Sequence, residues 1–170
     1  MHVYAEQEEV WVAVLDDKPG ELTNKLTALA DAGADLEFII ARRSHEKLGA
    51  GVVFVTPLRS DEEIQAARQE GFSVSCHLHS VRVEGENEPG IARKVTSRVS
   101  QAGISLRGFS GAVIGTKFIA HLAFDTAAAA QRAIALLEAN GDAGCGDNGA
   151  GESAGLEAVS ADSPRMLAGR

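Results

Sequence analysis

The sequence is poor in several residue types, and each shortage argues against a class of protein. Aromatic residues make up 5% of the 170 residues, with one tryptophan and one tyrosine, so the stacking surfaces that bind single-stranded nucleic acid are scarce. Basic residues are also few, at 16 Lys and Arg against 24 Asp and Glu, and the formal net charge is −8. An acidic chain lacks the broad positive surface that binds nucleic acid or anionic lipid. We therefore expect neither nucleic-acid nor membrane partners.

Long hydrophobic runs and cysteines are also rare. No stretch approaches the roughly 18 consecutive apolar residues of a transmembrane helix, and residues 1–9 lack the basic and apolar segments of a signal peptide. These features predict a cytoplasmic protein. The two cysteines, Cys76 and Cys145, are too few for a disulfide framework and are expected to be free thiols.

Composition divides the chain into a globular part and a tail. Residues 141–170 are mainly glycine, alanine, serine and acidic residues, without any aromatic residue. Such a segment buries too little apolar surface to offset the entropy of ordering it. We predict a flexible, disordered acidic tail over 141–170, with a short amphipathic helix near 153–160 as the alternative, and a folded part over about residues 8–140.

The folded part contains an internal repeat with an offset of 70 residues. Two dipeptides and three apolar positions match at this offset: Pro19-Gly20 with Pro89-Gly90, Ala32-Gly33 with Ala102-Gly103, Leu36 with Leu106, Phe54 with Phe124, and Ile64 with Ile134. A repeat of this kind indicates two copies of one supersecondary unit. The two units are predicted at residues 8–77 (unit one) and 78–140 (unit two).

Both units show the same order of predicted elements. A strand leads through a Pro-Gly turn into an amphipathic helix, which ends at Ala-Gly and is followed by a glycine-containing hairpin and a second helix. The strands are predicted at 11–15, 35–41 and 51–55 and again at 81–83, 105–109 and 118–124, with second helices at 60–70 and 126–139. Residues 72–76 alternate like a further strand, whereas the residues after Gly141 do not. Unit one is thus predicted as βαββαβ, and unit two as βαββα without a clear last strand.

The missing strand has a consequence for assembly. In a βαββαβ unit the last strand lies at a sheet edge, so its loss would expose the first strand of unit two. An exposed edge can pair with another chain. This expectation favours a homodimer.

The order of motifs resembles the ACT domain. The resemblance rests on Asp17-Lys18-Pro19-Gly20 with Ala32-Gly33 in unit one and on Asn87-Glu88-Pro89-Gly90 with Ala102-Gly103 in unit two. It covers about residues 10–77 and 80–140 and implies an α+β fold of two ferredoxin-like, ACT-like units side by side. ACT domains commonly bind amino acids and regulate enzymes or transcription. The resemblance therefore implies a non-catalytic regulatory protein that binds a free amino acid and signals through a change in oligomer or partner affinity.

The resemblance also implies a ligand site at the turn before the first helix and the start of the second strand of a paired unit. The corresponding residues are Asp17, Lys18, Pro19 and Gly20 with Asp35, and Asn87, Glu88, Pro89 and Gly90 with Ser105. Unpaired N–H groups at a helix start suit a carboxylate, and glycine lets it approach the backbone. Because Asp17 and Asp35 would bring two carboxylates to one site, unit two is the favoured pocket. The alternative is that Asp17 and Asn87 only cap helices.

Other constellations predict no chemistry. His77 and His79 could ligate a metal from one strand face, but we expect ordinary linker histidines, because no further Cys or His cluster accompanies them. His121, in an apolar strand, is expected in the core or at a pocket edge. Arg42, Arg43 and Lys47 form a small basic patch at the first hairpin, which could bind an anionic partner, but a solvated hairpin is expected.

No nucleophile–base arrangement, phosphate loop or metalloprotease motif occurs. We therefore predict no catalytic residues, no metal and no cofactor. The alternative function is a ligand-free oligomerisation or docking scaffold on the same fold, with the exposed strand edge as the docking surface.

Overall fold

The computed structural model describes residues 1–44 and 47–139, and the tail predicted at 141–170, with Cys145, lies outside these residues. Twelve elements are formed in the described part of the chain. In chain order they are β1 (Val3–Glu8), β2 (Trp11–Asp16), α1 (Glu21–Asp31), β3 (Phe38–Arg43), β4 (Ala50–Thr56), α2 (Asp61–Gln69), β5 (Ser73–Val74), β6 (His79–Glu86), α3 (Ile91–Gln101), β7 (Gly108–Ile114), β8 (Lys117–Phe124) and α4 (Ala127–Glu138).

The strands form two separate four-stranded sheets. One sheet has the order β3-β4-β2-β5 and belongs to unit one, whereas the other has the order β1-β6-β8-β7 and includes the strands of unit two. All pairings are antiparallel. Two sheets with two helices each confirm the predicted α+β fold of two ferredoxin-like units.

Each unit has its own hydrophobic core between one sheet face and its helices. On β2, Trp11, Ala13 and Leu15 are buried in the core of unit one with Leu29 of α1. The equivalent core of unit two contains Val81 and Val83 of β6, Phe118 to Phe124 at alternate positions of β8, and one face of α3 and α4. Side chains alternate between the two faces of a strand, so every second residue points to the other face of the sheet, which no helix covers.

The sequence predicts that residues 11–15 form a strand buried on both sides or nearly so, and this is only half right. Val12 is partly buried, but the side chain of Val14 is 63% exposed. The second face of β2 is therefore covered only toward the start of the strand.

Most predicted elements agree with the structure to within a few residues. The strand predicted at 105–109 is the main displacement, because β7 runs from Gly108 to Ile114. Gly111, which we assigned to the hairpin turn, lies within β7, and Gly115 with φ +62° makes the turn to β8. The strand predicted at 72–76 shortens to the two residues of β5.

Strand β1 is the element that the sequence does not predict. It pairs with β6 over six positions, from Val3 opposite Gly85 to Glu8 opposite Ser80, and Ala5 is buried in the core of unit two. It therefore occupies the edge beside β6 that the sequence leaves empty. The expectation of an exposed edge there is wrong, and the argument for a homodimer through this edge falls with it. Its signal was weak because only one of its six residues, the small Ala5, is fully buried.

Within the described residues, no helix combines the length and the apolar character needed to cross a membrane.

Candidate functional site

The helix-free faces of the two sheets line one cavity of about 410 Å³. Unit one contributes residues of β2, β3 and β4, and unit two contributes residues of β6, β7 and β8. Because side chains alternate along a strand, each strand residue that lines the cavity is next in sequence to a residue that faces the core. The volume lies in the range, about 300–1,000 Å³, of pockets that hold small organic molecules.

A buried polar cluster joins three strands beside the cavity. Glu8, at the end of β1, accepts a hydrogen bond from the Ser80 hydroxyl at 2.8 Å, and its Oε1 lies 2.6 Å from Nδ1 of His121. The side chains of Glu8 and His121 are 11% and 9% exposed. The Phe38 ring of unit one stacks on the imidazole with the ring centroids 3.9 Å apart. His121 was predicted in the core or at a pocket edge, and it lines the cavity.

A salt bridge also connects the two units next to this cluster. Glu37 precedes β3 and accepts a hydrogen bond from Arg59 of unit one. It also forms an ion pair with Arg82 of β6, with 2.9 Å between the charged atoms. The hydrogen bond from Arg59 is the main cause that holds the pKa of Glu37 below its ordinary value. Burial acts in the opposite direction, and the charge of Arg82 lowers the pKa further.

The ionisable side chains that line the cavity are all basic. They are Arg42, Arg107 and His121, and no Asp or Glu among the described residues lines it. Arg107 donates to the carbonyl of His77 at 2.8 Å and to Asp125 at 3.2 Å. The guanidinium carbon of Arg42 lies 5.8 Å from the centroid of the Phe54 ring.

Arg42 was expected to belong to a solvated basic patch with Arg43 and Lys47, and the structure separates these side chains. Arg42 faces the cavity, whereas Arg43 Nε donates to Oδ1 of Asp17 at 3.1 Å. The cause is the alternation along β3, which places adjacent residues on opposite faces.

The two Pro-Gly turns lead into helices of a distinct kind. Helices α1 and α3 begin at Gly20 and Gly90, with φ of +88° and +81°, and neither has a side-chain cap. Helices α2 and α4 begin at Ser60 and Thr126, whose hydroxyls accept from backbone N–H groups in the first turn. Capping by Asp17 or Asn87, the alternative role considered above, is therefore not what the structure shows.

The two turns differ in their charged neighbours. In unit one, Asp17 is paired with Arg43, and Lys18 with Asp16 and Glu21. In unit two, Glu88 pairs with Lys94 at 2.8 Å. The Asn87 backbone N–H donates to the Thr116 carbonyl, while its side chain has no hydrogen-bond partner among the described residues.

The other two predicted residues lie at the far ends of the first helices. Asp17 is beside Gly49, whereas the segment containing Asp35 lies beside Thr56 at the other end of β4. Helix α1 has 11 residues and is therefore roughly 16 Å long, with Asp17 before its start and Asp35 after its end. Ser105 is separated from Asn87 in the same way, because α3 has the same length. Within one unit, then, the predicted pairs do not share a pocket.

The cavity contains none of the ten predicted ligand-binding residues. One signal in the sequence could have revealed it. Strands β3 and β4 carry apolar residues on both faces, as in Ile39-Ile40 and Val53-Phe54, which indicates cover on both faces. Elsewhere in the described residues, no group of three or more His, Cys, Asp or Glu side chains is placed to hold a metal ion.

The chain has the fold of two ACT-like units in tandem. Among solved structures, the chain is similar to protein BT0572 from Bacteroides thetaiotaomicron, with a TM-score of 0.65 and 18% identity over 79% of this chain and 88% of that one. It is also similar to the regulatory subunit of aspartate kinase from Thermus thermophilus, with a TM-score of 0.55 and 17% identity over 79% and 95%. For the corresponding subunit from Thermus flavus, the TM-score is 0.53 and the identity is 17%, over 81% of this chain and 97% of that one.

At these identities the likeness shows the fold, and it confirms the two ACT-like units predicted from the sequence. No protein-family model and no curated protein sequence matches the chain.

Proposed function

We propose that this chain is a cytoplasmic regulatory protein without catalytic activity, which binds a small molecule and most favourably a free amino acid. Two of the similar structures are regulatory subunits of aspartate kinase, which supports a regulatory role for a chain of the same fold. In this proposal, ligand binding at one site changes the affinity of the protein for another molecule at a different site.

The observation that carries the proposal is the contrast between the two kinds of helix start. Helices α2 and α4 satisfy a first-turn N–H group with their own hydroxyl, whereas α1 and α3 begin at glycine without a side-chain cap. The N–H groups of Glu21 and Ile91 donate to the carbonyls of Lys18 and Glu88 within the turns. The next two N–H groups of each helix find no acceptor in the rest of the described chain, and the carboxylate of an amino acid is a suitable one. Gly20 and Gly90 have open space where a side chain would stand.

The proposed ligand-binding residues are those of the two turns, with unit two as the stronger site. The Asn87 amide can donate to a ligand carboxylate and accept from its ammonium group. Asp17 adds a negative charge that repels the same carboxylate, although Arg43 offsets part of it. Asp35 and Ser105 could contribute only from another unit or another copy, because each lies at the far end of its own helix.

The proposed signal is a change in affinity for a regulated enzyme, a transcription factor or a second copy of the chain. The docking-scaffold alternative depends on a free edge at β6, and β1 covers that edge. The regulatory reading is therefore the better supported of the two.

Thermal unfolding against each of the twenty amino acids at millimolar concentration tests the proposal. A ligand at 100 times its dissociation constant adds about 2.7 kcal/mol, which raises the Tm of a protein of this size by roughly 5–15 °C. We expect Asn87→Ala to lose more of this stabilisation than Asp17→Ala. Equal losses would contradict the preference for unit two, and the absence of a shift with any amino acid would contradict the proposed function.

A further inference from the structure

The cavity between the two sheets has a chemical character opposite to that of the whole chain. The protein carries a formal net charge of −8, yet the described ionisable side chains that line this cavity are Arg42, Arg107 and His121, with no carboxylate. A concave site of one sign, bounded by low-dielectric walls, concentrates ligands of the opposite sign. The cavity is therefore suited to an anion.

The two arginines of the cavity differ in the ion pairs that they form. Arg107 already donates to Asp125 and to a backbone carbonyl. Arg42 makes no ion pair with any residue in the described part of the chain, and its contact is with the face of the Phe54 ring. Arg42 thus retains the donors that bind a carboxylate in a bidentate manner.

The remaining walls are apolar and come from both units. Phe38 and Phe54 of unit one supply aromatic rings, and Val12, Ile40, Leu78 and Ala123 complete the apolar lining. Phe38, Ile40 and Phe54 are only partly buried, so an apolar ligand group packed against them would remove apolar surface from water. The volume of about 410 Å³ leaves room for an aromatic ring.

A primary ammonium group finds no charged partner in this lining. Glu8, the nearest carboxylate in the cluster beside the cavity, is already engaged by His121 and by the Ser80 hydroxyl. A ligand with an ammonium group would leave that charge unpaired next to two guanidinium groups. The lining therefore favours an acid without an amine over an amino acid.

From this arrangement we infer that the inter-sheet cavity is a second ligand site, which binds small organic monocarboxylates with an apolar, preferably aromatic, body. The carboxylate pairs with Arg42, and the body packs against the Phe38 and Phe54 rings. The site differs from the helix-start turns in position and in ligand class. A molecule bound here contacts both units at once and so opposes their separation.

Isothermal titration calorimetry with four matched probes on the full chain tests the inference. 3-Phenylpropanoate has the carboxylate and the ring, propanoate lacks the ring, 2-phenylethylamine replaces the carboxylate by an ammonium group, and phenylalanine carries both charges. We expect 3-phenylpropanoate to bind most tightly and 2-phenylethylamine not to bind. Equal binding of the amine and the acid, or no binding of 3-phenylpropanoate at millimolar concentration, would overturn the inference.

Two variants locate the binding. Arg42→Gln removes the charge-assisted hydrogen bonds and should weaken 3-phenylpropanoate binding by about 10-fold to 100-fold. Arg68→Gln on α2 makes the same charge change at an exposed position outside the cavity, and it should leave the affinity within about twofold. An unchanged affinity in Arg42→Gln overturns the inference.

Ala123→Leu adds volume inside the cavity without a change in charge and should also reduce binding. If this variant does not fold, Arg42→Gln decides alone, because Arg42 is exposed and outside both cores. The inference and the proposed function fail separately, since the deciding probe here, 3-phenylpropanoate, is not an amino acid and the deciding variant, Arg42→Gln, lies outside the helix-start turns.

Discussion

Units one and two are built from the same repeat but complete their sheets in different ways. Beside β2, unit one has its own β5, which pairs at only two positions, Trp11 with Val74 and Val12 with Ser73. Beside β6, unit two has β1, which pairs at six positions and comes from before unit one in the chain. The edge strand with fewer paired positions, β5, therefore lies in unit one, which supplies all of its own strands. The edge strand with more paired positions, β1, lies in unit two, whose own segment has no last strand.

The difference shows that a structural unit of this protein is not a continuous stretch of sequence. The chain starts in the sheet of unit two, passes through the whole of unit one and returns to unit two. Helix α4 packs on β1, and the carboxylate of Glu138 accepts from the N–H of Ala5 at 3.4 Å. The N-terminal segment is thus part of the unit that is most distant from it in sequence.

The largest expected effect on stability comes from substituting aspartate into the edge strands, and we compare β1 with β5. Ala5 is 3% exposed in the core of unit two, whereas Val74 on β5 is 43% exposed. Ala5→Asp buries an unpaired charge and should lower the free energy of unfolding by about 3 kcal/mol or more. The matched change Val74→Asp should cost less than about 1 kcal/mol.

Two spectroscopic signals separate the units in this experiment. The single tryptophan, Trp11, is buried in the core of unit one, so its fluorescence follows unit one, while circular dichroism follows both. In urea, Ala5→Asp should shift the circular dichroism transition more than the fluorescence transition. A smaller cost for Ala5→Asp than for Val74→Asp would show that β1 is not an integral strand of unit two.

The next effect compares equivalent core positions. Leu29 of α1 and Val99 of α3 are separated by the repeat offset, and both are fully buried. Leu29→Ala should cost about 3 kcal/mol and Val99→Ala about 2 kcal/mol, because the leucine loses more apolar volume. Leu29→Ala should shift the Trp11 fluorescence midpoint directly. If Val99→Ala also shifts the Trp11 midpoint, in proportion to its own cost, the two units unfold as one cooperative body rather than separately.

The smallest effect concerns the salt bridge between the units. The pKa of Glu37 is lowered in the folded protein, first by the hydrogen bond from Arg59. Its contribution to stability is therefore present above the ordinary glutamate pKa and is lost as the pH falls through the lowered folded value. The side chain is 35% exposed, so screening keeps the contribution below about 1 kcal/mol.

Urea unfolding of the wild type and of Glu37→Gln between neutral and acidic pH measures this contribution. The variant should be slightly less stable at neutral pH, and the difference should vanish in acid. A difference that grows as the pH falls would contradict the assigned direction.

The fold could be predicted because its signals are local and occur twice. The Pro-Gly turns, the Ala-Gly helix ends and the apolar stripes each depend on a few neighbouring residues. The left-handed φ of +91° at Gly33 and +70° at Gly103 confirms the helix ends. Strand β1 was not predictable in this way, because its pairing with β6 joins residues 72 to 82 positions apart and Ala5 is the one residue of the strand that is fully buried.

The cavity could not be predicted for a related reason. It depends on how the two sheets face each other, and no residue of one unit specifies that arrangement alone. Phe38 and His121 are 83 positions apart and stack directly. Sequence reasoning placed His121 in the core or at a pocket edge, and it lines the cavity. It did not predict that Arg42 faces the same cavity, because the hairpin was considered without the opposite sheet.

The position of β1 also sets an order of events during synthesis. Its partner β6 begins at His79, long after Glu8 has been made, and ribosomes add about 5–20 residues per second. Strand β1 must therefore remain unpaired for several seconds while unit one folds behind it. Its acidic residues, Glu6 and Glu8, oppose premature association during that interval. Strand β1 is thus synthesised before the whole of unit one but reaches its place only after β6 has been made.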